Sequence, residues 1–221
     1  FLAAVLHDPW RSAATEIEKQ AQMLEASGAE ILVLAAALPG GSYDRDERLS
    51  GPQWSALAKS LVSADEIAAA HGLQLSFHPH AGTAVARRED VSILLEMTSA
   101  KICLDSGHLF LGGADPAEVV RQAAGRVNHV HLKDVAANLA GSVRSGGITY
   151  AEGVAAGLYR PLGQGDLDIE AVFNRLQETG YRGWYVLEQD MALTAEPEPA
   201  SGPIKAAAQS LEYFRRIAGA Y

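Results

Sequence analysis

With 221 residues, 48% of them hydrophobic, the chain is long enough for one sizeable core, and a single domain over residues 1–221 is expected. A formal net charge of −9 argues against a sequence-independent grip on nucleic acid, which depends on Lys and Arg meeting phosphates. Cys103 is the only cysteine, so no intrachain disulfide can form and a reducing, cytoplasmic compartment is expected. No apolar run approaches the roughly 20 residues of a membrane helix, so no membrane partner is expected.

The chain opens at Phe1 with no methionine and no signal-peptide pattern, and reads as cut at its start. Residues 1–7 are strand-like. Ser12 is placed to cap a helix carrying Ile17, Ala21 and Leu24 at i, i+4 and i+7, stopped by Gly28. A buried strand is expected over 30–36, then a Gly/Pro/Ser-rich loop. Pro52 suits the first turn of a long helix with Trp54, Leu57, Leu61 and Ile67, ended by Gly72. The strand LQLSFHPH (73–80) follows, then a helix near 87–98 and the strand KICLDSGH (101–108). Asp115-Pro116 signals a helix running to about Gly125, ahead of the strand VNHVHLKD (127–134). A long Gly-rich connection spans 135–167. Asp168 then caps a helix bearing Val172, Phe173 and Leu176, and GWYVLEQD (183–190) supplies the last strand. A Pro/Glu-rich loop and a final helix with Leu211, Phe214 and Ile217 complete six strands and six helices.

Five of the seven histidines lie between 78 and 131, where apolar strands end. Strands that are apolar on both faces and separated by helices indicate a parallel sheet covered by helices. Side chains alternate along a strand. Ser76, His78 and His80 therefore share one face, as do Cys103 and Asp105; His129, His131 and Lys133; and Val186 and Glu188. A doubly wound sheet would bury these polar rows under apolar helices. A TIM barrel points them into its lumen and toward its C-terminal mouth, where such enzymes carry their sites. The expected fold is α/β, a (β/α)8 TIM barrel that is incomplete here. Six of its eight β/α units are present and the first two are missing, since a full barrel takes about 250 residues. His78, Asp105, His131 and Glu188, from four strands, are the expected ligands of one divalent ion, being nitrogen and carboxylate donors suited to it.

The series His78-Pro-His80-Ala-Gly-Thr, Leu104-Asp105-Ser-Gly-His108, His129-Val-His131-Leu-Lys-Asp134, Pro161-Leu-Gly-Gln-Gly165 and Gly183-Trp-Tyr-Val-Leu-Glu188 resembles the xylose isomerase-like TIM-barrel superfamily. That group holds sugar isomerases, keto-sugar epimerases, inosose dehydratases and type IV endonucleases. The likeness runs over nearly the whole chain, from the third barrel strand onward, and is closest in look to the inosose dehydratase branch, which shares the His-x-His-x-Gly-Thr pattern. The resemblance implies that Asp105, His131 and Glu188 are metal ligands and that His108 contacts substrate. His78 stands where the epimerases have a glutamate that is both ligand and acid/base group, a departure from a symmetric two-carboxylate mechanism. A superfamily arginine shortly after the metal histidine has no counterpart, since Ala136 and Ala137 occupy that stretch.

Removing a proton α to a ketone leaves an enediolate, which a divalent ion such as Mn2+, Co2+, Mg2+ or Zn2+ stabilises through the carbonyl and neighbouring hydroxyl. Glu188 is the expected proton acceptor, with Lys133 or His108 as the acid that protonates a departing hydroxyl. His80, His108 and Lys133 are the expected substrate contacts. The partner is a small keto-sugar or keto-polyol, and a homo-oligomer is compatible with the chain. Dehydration of an inosose ranks first. Isomerisation or epimerisation of a keto-sugar comes second, with His78 as the second acid/base group. A non-enzymatic sugar-binding barrel comes third. A phosphodiester-cleaving relative needs a multi-metal site and a basic face that the sequence lacks.

Blander roles compete at several positions. Asp105 could cap the loop after its strand, Lys133 could pair with Asp134 or another acid, and His80 could anchor a loop. His129 reads as a structural histidine, His71 as a helix-terminal cation, and Cys103 as packing. His7 could enter the pocket. Gly163-Gln-Gly165 resembles a phosphate loop but is equally explained as a turn.

Overall fold

The computed structural model describes residues 1–8, 10–41, 43–45 and 47–219. Six strands form a sheet in the order β1 (Leu2–Ala4), β2 (Ile31–Ala36), β3 (Gln74–Phe77), β4 (Ile102–Asp105), β5 (Val127–Leu132) and β8 (Tyr185–Leu187). The described pairings among them are parallel. β1 and β8 stand at the two ends of that order. The chain divides into two compact units, Phe1–Cys103 with Arg126–His129, and Leu104–Gly125 with Val130–Tyr221.

In the first unit, helices α1 (Trp10–Ala26), α2 (Gly51–Ala70) and α3 (Arg88–Met97) alternate with the strands. β2 is buried along nearly its whole length, as a strand covered on both faces must be. The α2 boundaries follow their local chemistry. The Ser50 backbone N–H donates to Gln53 Oε1 at 2.9 Å, Pro52 sits in the first turn, and Gly72 leaves the helix at φ 71°. Trp54, Leu57, Leu61, Ala64 and Ala68 form its buried stripe. His71 caps the end of α2 but does more than face the helix terminus. Its Nδ1 lies 2.7 Å from Glu25 and its Nε2 3.0 Å from Glu18, tying α2 to α1.

The second unit carries more structure than the strand–helix rhythm predicts. Beyond α5 (Pro116–Gln122), α8 (Ile169–Glu178) and α9 (Pro203–Ile217), it contains α4 (Ser106–Leu111). The 135–167 connection also folds, through β6 (Asp134–Val135), α6 (Ala137–Arg144), α7 (Tyr150–Ala155) and β7 (Tyr159–Arg160). The described residues thus form eight strands and nine helices rather than six of each. β6 and β7 make a short antiparallel pair. The expected caps are present: Asp115 accepts from Ala117 N and Asp168 from Ala171 N, each at 2.9 Å. The strand expected over 1–7 is shorter, ending at Ala4, and α1 begins two residues before Ser12.

The Gly163-Gln-Gly165 turn has a structural occupant. The Asp134 carboxylate, 0% exposed, accepts from the backbone N–H groups of Val135, Gly163, Gly165 and Leu167 at 2.8 to 3.1 Å. A Cβ on Gly165 would collide with that carboxylate and with the Val135 carbonyl, so only glycine lets the backbone approach. A protein carboxylate, not a phosphate, fills this cradle.

Candidate functional site

The second unit gathers Asp105, His108, His131, Lys133 and Glu188, all expected from the sequence. Asp105 is the last residue of β4 and also the N-cap of α4, and its Oδ1 accepts from His108 N at 2.9 Å. The cap role and the site role therefore coexist, divided between two oxygens of one carboxylate. His131 lies in β5, paired with Val186 of β8. The Glu188 backbone N–H donates to Leu132 O at 3.1 Å and continues β8 alongside Lys133. Ser106 fixes the Lys133 backbone from both sides, its Oγ donating to Lys133 O at 2.7 Å and accepting from Lys133 N at 2.8 Å.

These supports bring five charged or ionisable groups together. His131 Nδ1 lies 3.6 Å from Asp105 Oδ2 and 3.3 Å from Glu188 Oε2. Lys133 Nζ lies 3.2 Å and 2.9 Å from the same two oxygens, and 3.1 Å from His108 Nε2. Asp105 is 0% and Lys133 3% exposed, whereas the Glu188 side chain keeps 34% and faces solvent at the rim. Burial pushes the Glu188 carboxyl up, but hydrogen bonding to His131 and the Lys133 charge prevail and hold it at about 2. Burial opposes the Lys133 charge as well, yet Asp105, Glu188 and Asp190 raise its pKa above the ordinary lysine value. Lys133 pairs with these acids and not with Asp134, which the backbone cradle occupies.

Three residues missed in the sequence complete the surroundings. Asp190 Oδ2 lies 3.6 Å from Lys133 Nζ. The Tyr150 hydroxyl donates to Asp190 Oδ2 at 3.1 Å and lies 3.1 Å from the Tyr159 hydroxyl. His108 stacks on the Tyr150 ring with centroids 6.4 Å apart, and Lys133 Nζ sits 5.5 Å from the Tyr159 ring centroid. The available signal was thin. Asp190 is two residues beyond Glu188, on the same alternation, and the tyrosines stand out only as aromatics in a Gly-rich connection.

His78 and His80 belong to the first unit. Their rings lie 5.0 Å apart, with Phe1 5.7 Å from each and Tyr43 5.5 Å from His80. His78 Nδ1 lies 2.8 Å from Pro79 O, and His80 Nδ1 2.8 Å from Ala81 O. Donation from Nδ1 to a backbone carbonyl places the lone pair of each neutral ring on Nε2, the tautomer that a ligand or hydrogen-bond acceptor needs. His7 is buried beyond β1, and burial lowers its pKa. His129 and Cys103 are buried too.

Asp105, His131 and Glu188 offer one nitrogen and two oxygens that all lie within 4.8 Å of one another. Bonds of roughly 2.0–2.2 Å to a tetrahedral ion separate its ligand atoms by roughly 3.3–3.6 Å. The two His131 contacts, at 3.3 and 3.6 Å, have that spacing. The donor set therefore fits a divalent ion in chemistry, and its two His131 spacings fit one in dimension.

Comparison with known proteins bears on fold and family. The chain is 29% identical over 230 residues to inosose dehydratase of Geobacillus thermodenitrificans strain NG80-2, covering 99% of this chain and 75% of that protein. Among solved structures, the IOLI protein with a binding zinc atom superposes with a TM-score of 0.70 at 16% identity, covering 98% of this chain and 74% of that one. The apo form of 3-keto-D-glucoside 4-epimerase, YcjR, from E. coli gives 0.61 at 20% identity, covering 92% and 70%. At such identities the two structures speak for the fold, a TIM-barrel arrangement of the parallel sheet. The family model described as xylose isomerase-like TIM barrel matches residues 2–217, so the chain belongs to that family.

Proposed function

We propose that the protein is a divalent-metal-dependent enzyme that abstracts a proton α to a carbonyl of a keto-polyol, with dehydration of a keto-inositol as its reaction. The observation that carries this reading is the spacing of Asp105, His131 and Glu188 around one point, with the Lys133 ammonium beside it. The likeness to an inosose dehydratase supports the choice of lyase, and the epimerase among the structural neighbours keeps the coarser class at lyase or isomerase/epimerase. The zinc in the IOLI protein supports a metal in this fold, with Mn2+, Co2+, Mg2+ and Zn2+ as candidates here.

Asp105, His131 and Glu188 would hold the ion. A bound ion supplies Lewis acidity to the substrate's carbonyl oxygen. Glu188, ionised at neutral pH, accepts the α proton, and the C–H electron pair becomes an enolate. The pair then forms a carbon–carbon double bond as the β-hydroxyl leaves, taking a proton from Lys133 or His108 and departing as water. His108 and Lys133 contact the polyol hydroxyls. The net change is loss of one water.

The test is to strip the protein with a chelator, restore each of the four metals, and offer inosose and a panel of ketoses. Metal-dependent formation of an unsaturated or diketo product is expected. Formation of epimers without loss of water would move the reaction to the isomerase/epimerase class. Tight binding of intact ligand with no turnover under any metal would leave a sugar-binding barrel.

A further inference from the structure

Lys133 and the ion of the proposed metal centre compete for the same atoms. The ammonium is held by Asp105 Oδ2 and Glu188 Oε2, the two oxygens that also lie nearest His131 Nδ1. Lys133 thus stands in as an internal cation at the carboxylates a divalent ion would claim. Once two positive centres share those oxygens they repel each other across a few ångströms of poorly solvated space. An ammonium that is 3% exposed cannot escape to water without unpacking its stem, so it needs a second anion within reach. Asp190 supplies one at 3.6 Å, and Tyr150 donates a hydrogen bond to the very oxygen that faces Lys133. The charges also balance in that arrangement. Two carboxylates neutralise a divalent ion, and the third neutralises the lysine.

We propose that Asp190, held in place by Tyr150, is a positioning residue that receives the Lys133 ammonium when a divalent ion takes Asp105 and Glu188. The inference rests on the metal reading above. Asp190 acts through Lys133, keeping its ammonium docked beside the ion without ligating the ion itself. The His108 Nε2 contact and the Tyr159 ring flank the same path and give the ammonium partners on both sides of the exchange.

The test is the dissociation constant of Mn2+, measured by calorimetric titration at one fixed pH. The proteins are the unsubstituted chain, Lys133→Met, Asp190→Asn, the double variant, and Tyr150→Phe. Lys133→Met removes the competitor and should tighten Mn2+ binding, whereas Asp190→Asn strands the lysine on the ligand oxygens and should weaken it by about tenfold. Tyr150→Phe, which alters no charge, should weaken binding by less. The decisive comparison is the double-mutant cycle. A general electrostatic effect of the Asp190 charge persists when Lys133 is absent. The exchange predicts instead that Asp190→Asn has no effect in the Lys133→Met background. Equal weakening in both backgrounds, or an unchanged constant in Asp190→Asn, overturns the inference and leaves the metal centre intact. No Mn2+ uptake by the unsubstituted chain overturns both. If Lys133→Met fails to fold, judged by its thermal melt, Lys133→Gln serves in its place with the same expectations.

Discussion

Lys133 and Asp134 are neighbours in the chain and both are buried, yet their charges are satisfied in opposite ways. The Asp134 carboxylate is surrounded by four backbone N–H groups, which cannot leave without undoing the chain path that carries them. The Lys133 ammonium is surrounded by side chains, namely Asp105, Glu188, Asp190 and His108, each of which can turn to another partner. A buried charge met by fixed dipoles is part of the scaffold. A buried charge met by other ionisable groups forms an arrangement that a ligand can rewrite. The difference separates a fixed buried charge from an exchangeable one when both are almost wholly hidden from solvent.

Three substitutions probe that contrast. Asp105→Asn should have the largest effect. It keeps the cap on His108 N but weakens the ligand set, so metal affinity should drop at least ~100-fold, beyond the usual cost of losing an outer-shell partner. Metal-dependent turnover should disappear, while the thermal midpoint of the metal-free protein stays close to that of the parent. A large fall in that midpoint with metal affinity retained would place Asp105 on the scaffold side. Asp134→Ala should do the reverse. It strands four N–H groups, one in buried and three in part-buried surroundings, and should cost about 3 kcal/mol in denaturant unfolding, with metal affinity spared in whatever fraction folds. A stable Asp134→Ala protein that no longer binds metal would place Asp134 in the metal centre instead of the scaffold.

The smallest effect belongs to His71, whose ion pairs with Glu18 and Glu25 lie toward solvent. Hydrogen bonds donated to Glu25 and Glu18 raise its pKa above the ordinary 6.5, and the second of these bonds lowers that of Glu18 below 4.5. The histidine contribution is therefore fully present below pH 6.5 and is lost as pH rises through the raised value. The glutamate contribution is present above pH 4.5 and is lost as pH falls through the lowered value. Melting curves from pH 5 to pH 9 should show His71→Ala converging on the parent at the alkaline end and falling below it near pH 5.5. A constant gap across that range would show that packing, not charge, joins α1 to α2 there.

Much of this arrangement was legible because period-2 alternation and strand ends are local signals. Asp105, His131, Lys133 and Glu188 could be placed on one face of their strands from spacing alone, and they meet in the second unit. The helix caps at Asp115 and Asp168 were equally readable. What escaped the sequence depends on contacts between distant segments. The two-residue strands β6 and β7 and the six-residue helix α7 are too short to show a period. Tyr150 reaches Asp190 across forty positions, and nothing in either neighbourhood announces the other. The Asp134 cradle was half visible. Its glycines marked a turn, but the occupant of that turn lies 29 to 33 residues upstream of the amides it accepts from.

The division of labour within Asp105 also bears on the kind of ion the proposed centre would take. One of its oxygens already accepts from His108 N at the start of α4, which leaves the other as the less encumbered donor. One-atom binding by this carboxylate would be favoured. An ion of the calcium type draws on six to eight oxygens and often on both atoms of a carboxylate, which this side chain would offer only by sharing its capping oxygen. Small ions of low coordination number, content with one oxygen from each acid and an imidazole nitrogen, meet no such obstacle.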